Sequence, residues 1–164
     1  MSTPAKRRLL KDFSTFPKND KTIFATPLEN DLMVWAAIIL GPESTPYENG
    51  TFSLIIEFSD EYPSSPPNIK FISDMYHPNI YSNGELCLDL LKRSWSPTYD
   101  VYSILVAVRC LLADPNIDSP ANIDAAKKFA KDSENFKEIV KKTVEKSWEE
   151  ITNELMEEMN IENK

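Results

Sequence analysis

The sequence of 164 residues predicts one α/β (α+β) domain, with an N-terminal helix, a four-stranded antiparallel meander, an irregular loop, a central buried helix and two C-terminal helices. The first observation behind this prediction is helical spacing of apolar residues near the N-terminus and again beyond residue 100. The second is a strand-like region from residue 22 to residue 72, which turn signals interrupt. This length supports one hydrophobic core and is too short for two domains that each have a stable core of their own.

The N-terminal helix is expected to start at Ser2-Thr3-Pro4, which is typical of a helix cap followed by a first helical residue. Apolar residues then follow at helical spacing: Leu9, Leu10, Phe13 and Phe16. Basic residues lie outside that stripe: Lys6, Arg7, Arg8 and Lys11. Cations in the first turn oppose the helix dipole, at a cost of ~0.3–1 kcal/mol each. This basic face is therefore either a solvated surface or a docking surface for an acidic partner.

Four strands are expected after this helix, over residues 22–26, 32–40, 51–58 and 68–72. We expect Pro27 to end the first strand and Gly41-Pro42 to end the second. Asn49-Gly50 between the second and third indicates an antiparallel meander. The proline-rich run at 62–67 cannot be a helix or a central strand. It is either a stiff connector, which composition favours, or a prearranged loop for a partner.

The apolar residues from 101 to 112 predict a central helix that is buried on almost every side, so Cys110 is expected to be a core cysteine. Ser119-Pro120 is expected to begin a short helix, and Ser133 to cap a longer one. The apolar stripe of the longer helix extends weakly into an acidic tail. Whether that tail stays helical is left open by the pattern.

The net charge of −8 argues against direct binding of nucleic acid. Residues 149–164 hold six glutamates and one lysine, so the chain divides into a core over 1–148 and an acidic C-terminal extension over 149–164. With no secretion signal or apolar run long enough for a membrane span, we expect a reduced protein of the cytoplasm and nucleus that binds no membrane. The single histidine, two cysteines and lack of a glycine-rich phosphate loop predict no metal, nucleotide or other cofactor.

The segment over residues 77–91 is the strongest candidate for a functional site. It contains the only histidine, His77, together with Cys87 and an Asn83-Gly84 turn signal. Pro78 restricts the backbone before the turn, and leucines after the turn supply apolar anchors. The pattern predicts an ordered loop without regular structure, with a thiol at the rim of a shallow groove.

Two cysteine mechanisms compete at this segment. In a hydrolase-like dyad, His77 would act as the base and lower the pKa of Cys87. In a carrier mechanism, the thiol holds an acyl group as a thioester and passes it to an amine, with an asparagine amide as a donor to the oxyanion. The chemistry favours the thioester over the dyad. An inert core cysteine stays as the main alternative.

Four motifs occur together in a characteristic order: Tyr62-Pro63-x-x-Pro66-Pro67, His77-Pro78-Asn79, Cys87-Leu88-Asp89 and Trp95-Ser96-Pro97. As a set they resemble the ubiquitin-conjugating enzyme family, and the resemblance covers roughly residues 4–148. The N-terminal residues 1–5 and the runs at 95–101 and 119–122 are most similar to its histone-modifying, DNA-damage-tolerance branch. The family has the same order of elements as the fold predicted above.

The resemblance implies that Cys87 accepts ubiquitin from the activating enzyme as a thioester, and that a ligase promotes its transfer to a substrate lysine. Asn79 would stabilise the oxyanion or hold the active-site loop, and His77 would be structural. Asp89 is expected to stabilise the loop through its carboxylate. In relatives an acidic residue often stands where the acceptor lysine enters, a position we call the gate. Ser119 takes this position here, and a serine has no carboxylate to guide the lysine. This implies low intrinsic reactivity without a ligase unless Asp118 compensates.

The resemblance also implies partner surfaces. Ser64, Trp95, Ser96 and Pro97 would face a RING-type ubiquitin ligase, and Lys6, Arg7 and Arg8 would meet the activating enzyme and some ligases. The implied partners are ubiquitin, the activating enzyme, a RING-type ligase and protein substrates. Two alternatives stay open: a conjugating enzyme for a ubiquitin-like modifier, and a non-catalytic binding member of the same fold.

Overall fold

The computed structural model describes the backbone of residues 2–162 and the side chains of residues 2–150. Its elements are α1 (Pro4–Thr15), β1 (Ile23–Leu28), β2 (Asp31–Leu40), β3 (Thr51–Glu57), β4 (Asn68–Phe71), a 3₁₀ helix (Asp89–Leu91), α2 (Val101–Ala113), α3 (Ile123–Lys131) and α4 (Ser133–Glu162). This order confirms the predicted fold class. None of the described helices is long and apolar enough to cross a membrane.

The four strands form one antiparallel sheet in the order β1-β2-β3-β4. Alternate residues of the inner strands are buried on one face, as in Trp35, Ala37 and Ile39 of β2. Helices α1 and α2 pack on this sheet, and the core side chains of α2 are Val101, Ile104, Leu105, Val108, Leu111 and Leu112. The predicted two-residue period therefore sets which face of the sheet meets the helices.

The first strand corrects the prediction that Pro27 ends it. Pro27 lies inside β1 and is paired with Trp35, and the register shifts between Pro27 and Leu28. Because β1 is at the edge of the sheet, a residue without a backbone N–H is tolerated there.

The buried face of α1 also differs from the predicted stripe. Leu10 and Phe13 are 54% and 46% exposed, whereas Ala5, Leu9 and Asp12 are buried. A carboxylate takes a core position because Arg8 and Tyr62 both donate hydrogen bonds to Asp12. The apolar pattern alone could not show this pairing.

The prediction that α2 is almost fully buried, with Cys110 in the core, is wrong. Cys110 is exposed, and several of its helical neighbours are only half-buried. The sheet covers one side of α2. On the opposite side, Arg109 and Cys110 of α2 line a shallow cleft together with Asp20. Apolar residues on that opposite side made the helix look buried all round.

The start of α3 is a further correction. The helix begins at Ile123 instead of Ser119-Pro120, with the Asn122 side chain accepting a hydrogen bond from the backbone N–H of Ala125. The preceding residues form an irregular segment instead, which we call the 116–122 loop. Helix α4 begins at Ser133, but the prediction that Ser133 caps it is wrong, because the Asp132 side chain accepts the hydrogen bond from the Asn135 N–H at 3.3 Å. The backbone of α4 continues to Glu162, so helix includes most of the acidic extension.

Candidate active site

The segment that carries Cys87 is a short hairpin attached to the edge of the sheet. Ile80 and Leu86 form a bridge across it, and the backbone N–H of Cys87 donates to the Asn79 carbonyl at 2.9 Å. Cys87 is a free, half-buried cysteine. The thiol therefore belongs to an ordered segment and remains open to solvent on one side.

Gly84 makes this attachment possible. Its φ of +91° is in the left-handed region, and a Cβ added there would lie 2.1 Å from the carbonyl oxygen of Phe71. The carbonyl of Gly84 in turn accepts a hydrogen bond from the backbone N–H of Phe71 at 2.9 Å. The close approach fixes the hairpin against β4.

His77 is buried, and both of its ring nitrogens have partners. Nδ1 accepts from the backbone N–H of Asn79 at 3.0 Å, which leaves Nε2 as the N–H donor to the carbonyl of Leu111 at 2.8 Å. Burial lowers the pKa of His77 to about 4, so the ring is neutral at physiological pH. Neither nitrogen is free to take a proton from Cys87, and this arrangement contradicts the hydrolase-like dyad.

Asn79 connects the cysteine hairpin to the 116–122 loop. It is 1% exposed, its Nδ2 donates to the carbonyls of Asn116 at 2.7 Å and Ser119 at 3.2 Å, and its Oδ1 accepts from the Asn116 N–H at 2.8 Å. These three contacts also fix the orientation of the amide. Both amide hydrogens are used inside the protein, so this conformation favours holding the loop over donating to an oxyanion.

Backbone contacts hold the same loop against the hairpin. The Pro78 carbonyl accepts from the N–H groups of Ala121 at 2.7 Å and Asn122 at 3.0 Å. Asp118 and Ser119 both have exposed side chains in this loop. The structure thus brings Ser119 and Asp118 to the same end of the molecule as Asn79 and Cys87.

Asp89 stabilises its loop in a different way from the one expected. Its backbone carbonyl accepts from the N–H groups of Lys92 at 2.9 Å and Ser94 at 3.0 Å. Within residues 2–150, its exposed carboxylate makes neither a hydrogen bond nor an ion pair. The expectation of a loop-stabilising carboxylate is therefore wrong.

The predicted ligase-facing residues come from two loops that lie side by side. The indole N–H of Trp95 donates to the Pro63 carbonyl at 2.9 Å, and the Trp95 ring lies 6.2 Å from that of Tyr62. Ser64 and Pro97 are exposed, and the half-buried Ser96 shares a hydrogen bond with Thr98. Residues 62–67 and 94–99 therefore form one surface, which we call the paired loops.

The three basic residues of α1 do not share one environment. Arg7 is exposed and Lys6 is half-buried, whereas Arg8 points inward to the carbonyls of Pro97 and Tyr99. Sequence reasoning also missed Asn116, the partner of Asn79, since nothing local marks two asparagines 37 positions apart as a pair. Among residues with described side chains, no three of the types His, Cys, Asp and Glu form a group that could hold a metal ion.

Comparison with known proteins agrees with this geometry. The sequence model of the family described as ubiquitin-conjugating enzyme matches residues 8–144. Three relatives named "Ubiquitin-conjugating enzyme E2 2" are similar to the chain. The protein of Kluyveromyces lactis is 50% identical over 159 residues, which cover 96% of this chain and 97% of the relative. That of Saccharomyces cerevisiae is 52% identical over 151 residues, covering 92% and 88%. That of Neurospora crassa is 47% identical over 151 residues, covering 92% and 100%.

These relatives are consistent with the branch that the sequence motifs indicated. The matched region contains the cysteine hairpin, the 116–122 loop and the paired loops. On this evidence the chain belongs to the ubiquitin-conjugating enzyme family.

Proposed function

We propose that Cys87 is the residue through which this transferase accepts ubiquitin from the activating enzyme and passes it to a substrate lysine. The observation that carries the proposal is the position of the thiol. Cys87 is half-buried on a hairpin whose Asn79 also binds the 116–122 loop through three side-chain hydrogen bonds. A fixed sulfur next to a fixed loop gives an incoming acyl group and an incoming amine one defined meeting point.

The first step is thiol exchange. The Cys87 thiolate attacks the carbonyl carbon of the ubiquitin thioester on the activating enzyme, and the sulfur of that enzyme leaves. One thioester is broken while another forms, so the exchange has little net free-energy cost. A histidine base is not required, which agrees with the two occupied nitrogens of His77.

The second step is transfer to an amine. The ammonium group of a lysine loses a proton to solvent, and the neutral amine attacks the carbonyl carbon to form a tetrahedral oxyanion. Its collapse breaks the C–S bond and expels the Cys87 thiolate, the nitrogen loses its second proton to solvent, and an isopeptide bond is left. The contacts of Asn79 support its role in holding the loop that the lysine passes. Asp118 supplies an exposed carboxylate beside Ser119 to guide the ammonium group toward the sulfur.

The remaining expectations extend this proposal. Residues 1–148 form the catalytic core and 149–164 an acidic extension; a RING-type ligase binds the paired loops, and Lys6 and Arg7 contribute to docking on α1. The motifs shared with the histone-modifying, DNA-damage-tolerance branch support protein substrates of that kind. They also support a location in the nucleus and cytoplasm.

The experiment is a thioester assay with purified activating enzyme, ATP and ubiquitin. We expect an adduct that reducing agent removes, absent in Cys87→Ala and retained in the matched variant Cys110→Ala. An adduct that survives in Cys87→Ala would refute the assignment. Repeating the assay with ubiquitin-like modifiers and their activating enzymes tests the alternative choice of modifier.

A further inference from the structure

The side chain of Arg8 faces into the protein, although it lies on the basic face of α1. Each of its three guanidinium nitrogens donates a hydrogen bond: Nε to Asp12 at 2.8 Å, Nη1 to the Pro97 carbonyl at 2.7 Å and Nη2 to the Tyr99 carbonyl at 2.8 Å. The planar fork of an arginine can reach three such acceptors, whereas a lysine ammonium is a single point charge. These contacts attach α1 directly to the 94–99 loop.

Asp12 extends the attachment to the other paired loop. Its carboxylate is 3% exposed, and its second oxygen accepts a hydrogen bond from the Tyr62 hydroxyl at 2.5 Å. The guanidinium carbon of Arg8 also lies 5.7 Å from the centre of the Tyr62 ring. Burial and the neighbouring carboxylate raise the pKa of Tyr62 well above its usual range, so the hydroxyl keeps its proton and donates.

Trp95 joins the two loops on the far side of this cluster. Its indole N–H donates to the Pro63 carbonyl at 2.9 Å. Its ring lies 6.2 Å from the Tyr62 ring and 5.7 Å from the Tyr99 ring. Arg8, Asp12, Tyr62 and Trp95 therefore form a continuous set of contacts, which we call the α1–loop network.

We propose that Arg8 is a positioning residue for ligase-dependent transfer: through the α1–loop network it holds the paired loops in the arrangement that a ligase binds. The proposal rests on the function proposed above. It differs from the expectation that Arg8 is itself a docking contact, because the guanidinium is already engaged with one carboxylate and two carbonyls. Asp12 is 3% exposed, and a buried charge that loses one partner is strongly destabilised, so the loop arrangement depends on both Arg8 and Tyr62.

The test combines three variants with one matched control. Arg8→Lys keeps the charge and loses the fork, Asp12→Asn removes the buried charge, and Tyr62→Phe removes only the hydroxyl. The control is Arg109→Lys, since Arg109 also donates to a backbone carbonyl, that of Leu40, and neither residue belongs to the α1–loop network. Tyr62→Phe preserves the packing of the ring, so it keeps the test decisive if Asp12→Asn does not fold.

Two readouts separate positioning from a purely structural role. The first is discharge of ubiquitin from Cys87 to free lysine, titrated with a purified RING domain that accelerates the wild-type protein. We expect each of the three variants to need about tenfold more RING domain for half-maximal rate, the scale of losing one charge-assisted hydrogen bond. The rate at saturating RING domain is expected to stay at the wild-type value. Asp12→Asn, whose side chain lies outside the paired loops, is expected to load and to discharge without ligase as the wild type does.

The second readout needs no ligase. In protein labelled with 5-fluorotryptophan, the ¹⁹F signal of Trp95, assigned by its loss in Trp95→Phe, is expected to move in all three variants and to stay unchanged in Arg109→Lys. A Trp95 signal that does not move would overturn the proposal. So would a ligase defect confined to Arg8→Lys, since this would make Arg8 a direct contact.

The proposal also fails if unassisted discharge falls as much as assisted discharge, or if no RING domain in a panel accelerates the wild type. Failure of Cys87 to load at all would instead refute the proposed function. The Trp95 signal would still test the attachment of the loops in that case.

Discussion

Replacing Asn79 with alanine separates the two roles open to this residue. The change removes three side-chain hydrogen bonds between the cysteine hairpin and the 116–122 loop, at a site that is 1% exposed. With about 1 kcal/mol of net stability for each bond, the free energy of unfolding is expected to fall by about 3 kcal/mol. For a domain of this size that is a decrease of roughly 6–12 °C in Tm.

Activity is expected to change selectively in Asn79→Ala. Loading from the activating enzyme needs the hairpin, which keeps its backbone bonds, so it is expected to be largely retained. Transfer to lysine needs the loop in place, and a displacement of about 1 Å slows such a step by up to about a hundredfold. Single-turnover loading and discharge of the purified variant measure the two steps separately.

Hydrogen exchange at the Asn116 amide decides between the roles. In the wild type this N–H donates to Asn79 Oδ1 at 2.8 Å, and its protection is expected to be lost in Asn79→Ala. The matched control is Asn83→Ala, which removes a single exposed side-chain bond to the Glu85 N–H. Slow transfer with unchanged Tm and unchanged Asn116 protection would refute loop holding and assign Asn79 to the oxyanion.

Three further predictions concern pH, the turn and the gate. Because the pKa of His77 is lowered from 6.5 to about 4 in the folded state, the unfolded chain binds the proton first as pH falls. The neutral His77 therefore contributes up to about 3 kcal/mol to the free energy of unfolding, and this contribution is complete above pH 6.5 and is lost as the pH falls toward 4. Urea unfolding at several pH values is expected to show this fall in the free energy of unfolding for the wild type and a shallower fall for His77→Gln. Equal dependence on pH in the two proteins would contradict the assignment to His77. Gly84→Ala is expected to lower the free energy of unfolding by more than about 2 kcal/mol, because its Cβ would meet the Phe71 carbonyl. A wild-type Tm for Gly84→Ala in thermal unfolding would contradict this, since it would show that a Cβ fits at position 84. Ser119→Asp is expected to speed ligase-free discharge to lysine about fivefold, the effect of one more carboxylate near an ammonium, and Asp118→Asn to slow it. Equal rates in the wild type and in both variants would show that a carboxylate at these positions does not guide the lysine.

The order of elements could be predicted because each element has a local signal. Thr3 accepts a hydrogen bond at the start of α1, Asn49 takes a positive φ in the predicted turn, and β3 buries alternate residues. These features depend on neighbours along the chain. They remain readable without knowledge of the tertiary structure.

The errors arose where a distant partner decides the outcome. Asp12 is buried because Tyr62 and Arg8 satisfy it, and α3 begins late because Pro78 binds the backbone of Ala121 and Asn122. Cys110 is exposed because the sheet covers only one side of its helix. Periodicity reports that a helix has apolar sides, but it does not report which sides other elements cover.

The site shows the same division. The sequence motifs picked out His77, Asn79 and Cys87, which the structure joins through the Asn79 backbone. The partner of the Asn79 side chain could not be found from the sequence, because Asn116 lies in a loop that follows another helix. The inward orientation of Arg8 depends in the same way on carbonyls 89 and 91 positions away.

The central claim is that the C-terminal carboxyl group of ubiquitin is joined to the side chain at position 87. The most direct measurement uses Cys87→Lys, in which the same transfer leaves a stable isopeptide bond, followed by tryptic digestion and mass spectrometry. With activating enzyme, ATP and ubiquitin, we expect the two-glycine remnant of ubiquitin at position 87, and in the matched variant Cys110→Lys no remnant at position 110. A remnant absent from position 87, or present equally at position 110, would contradict the account.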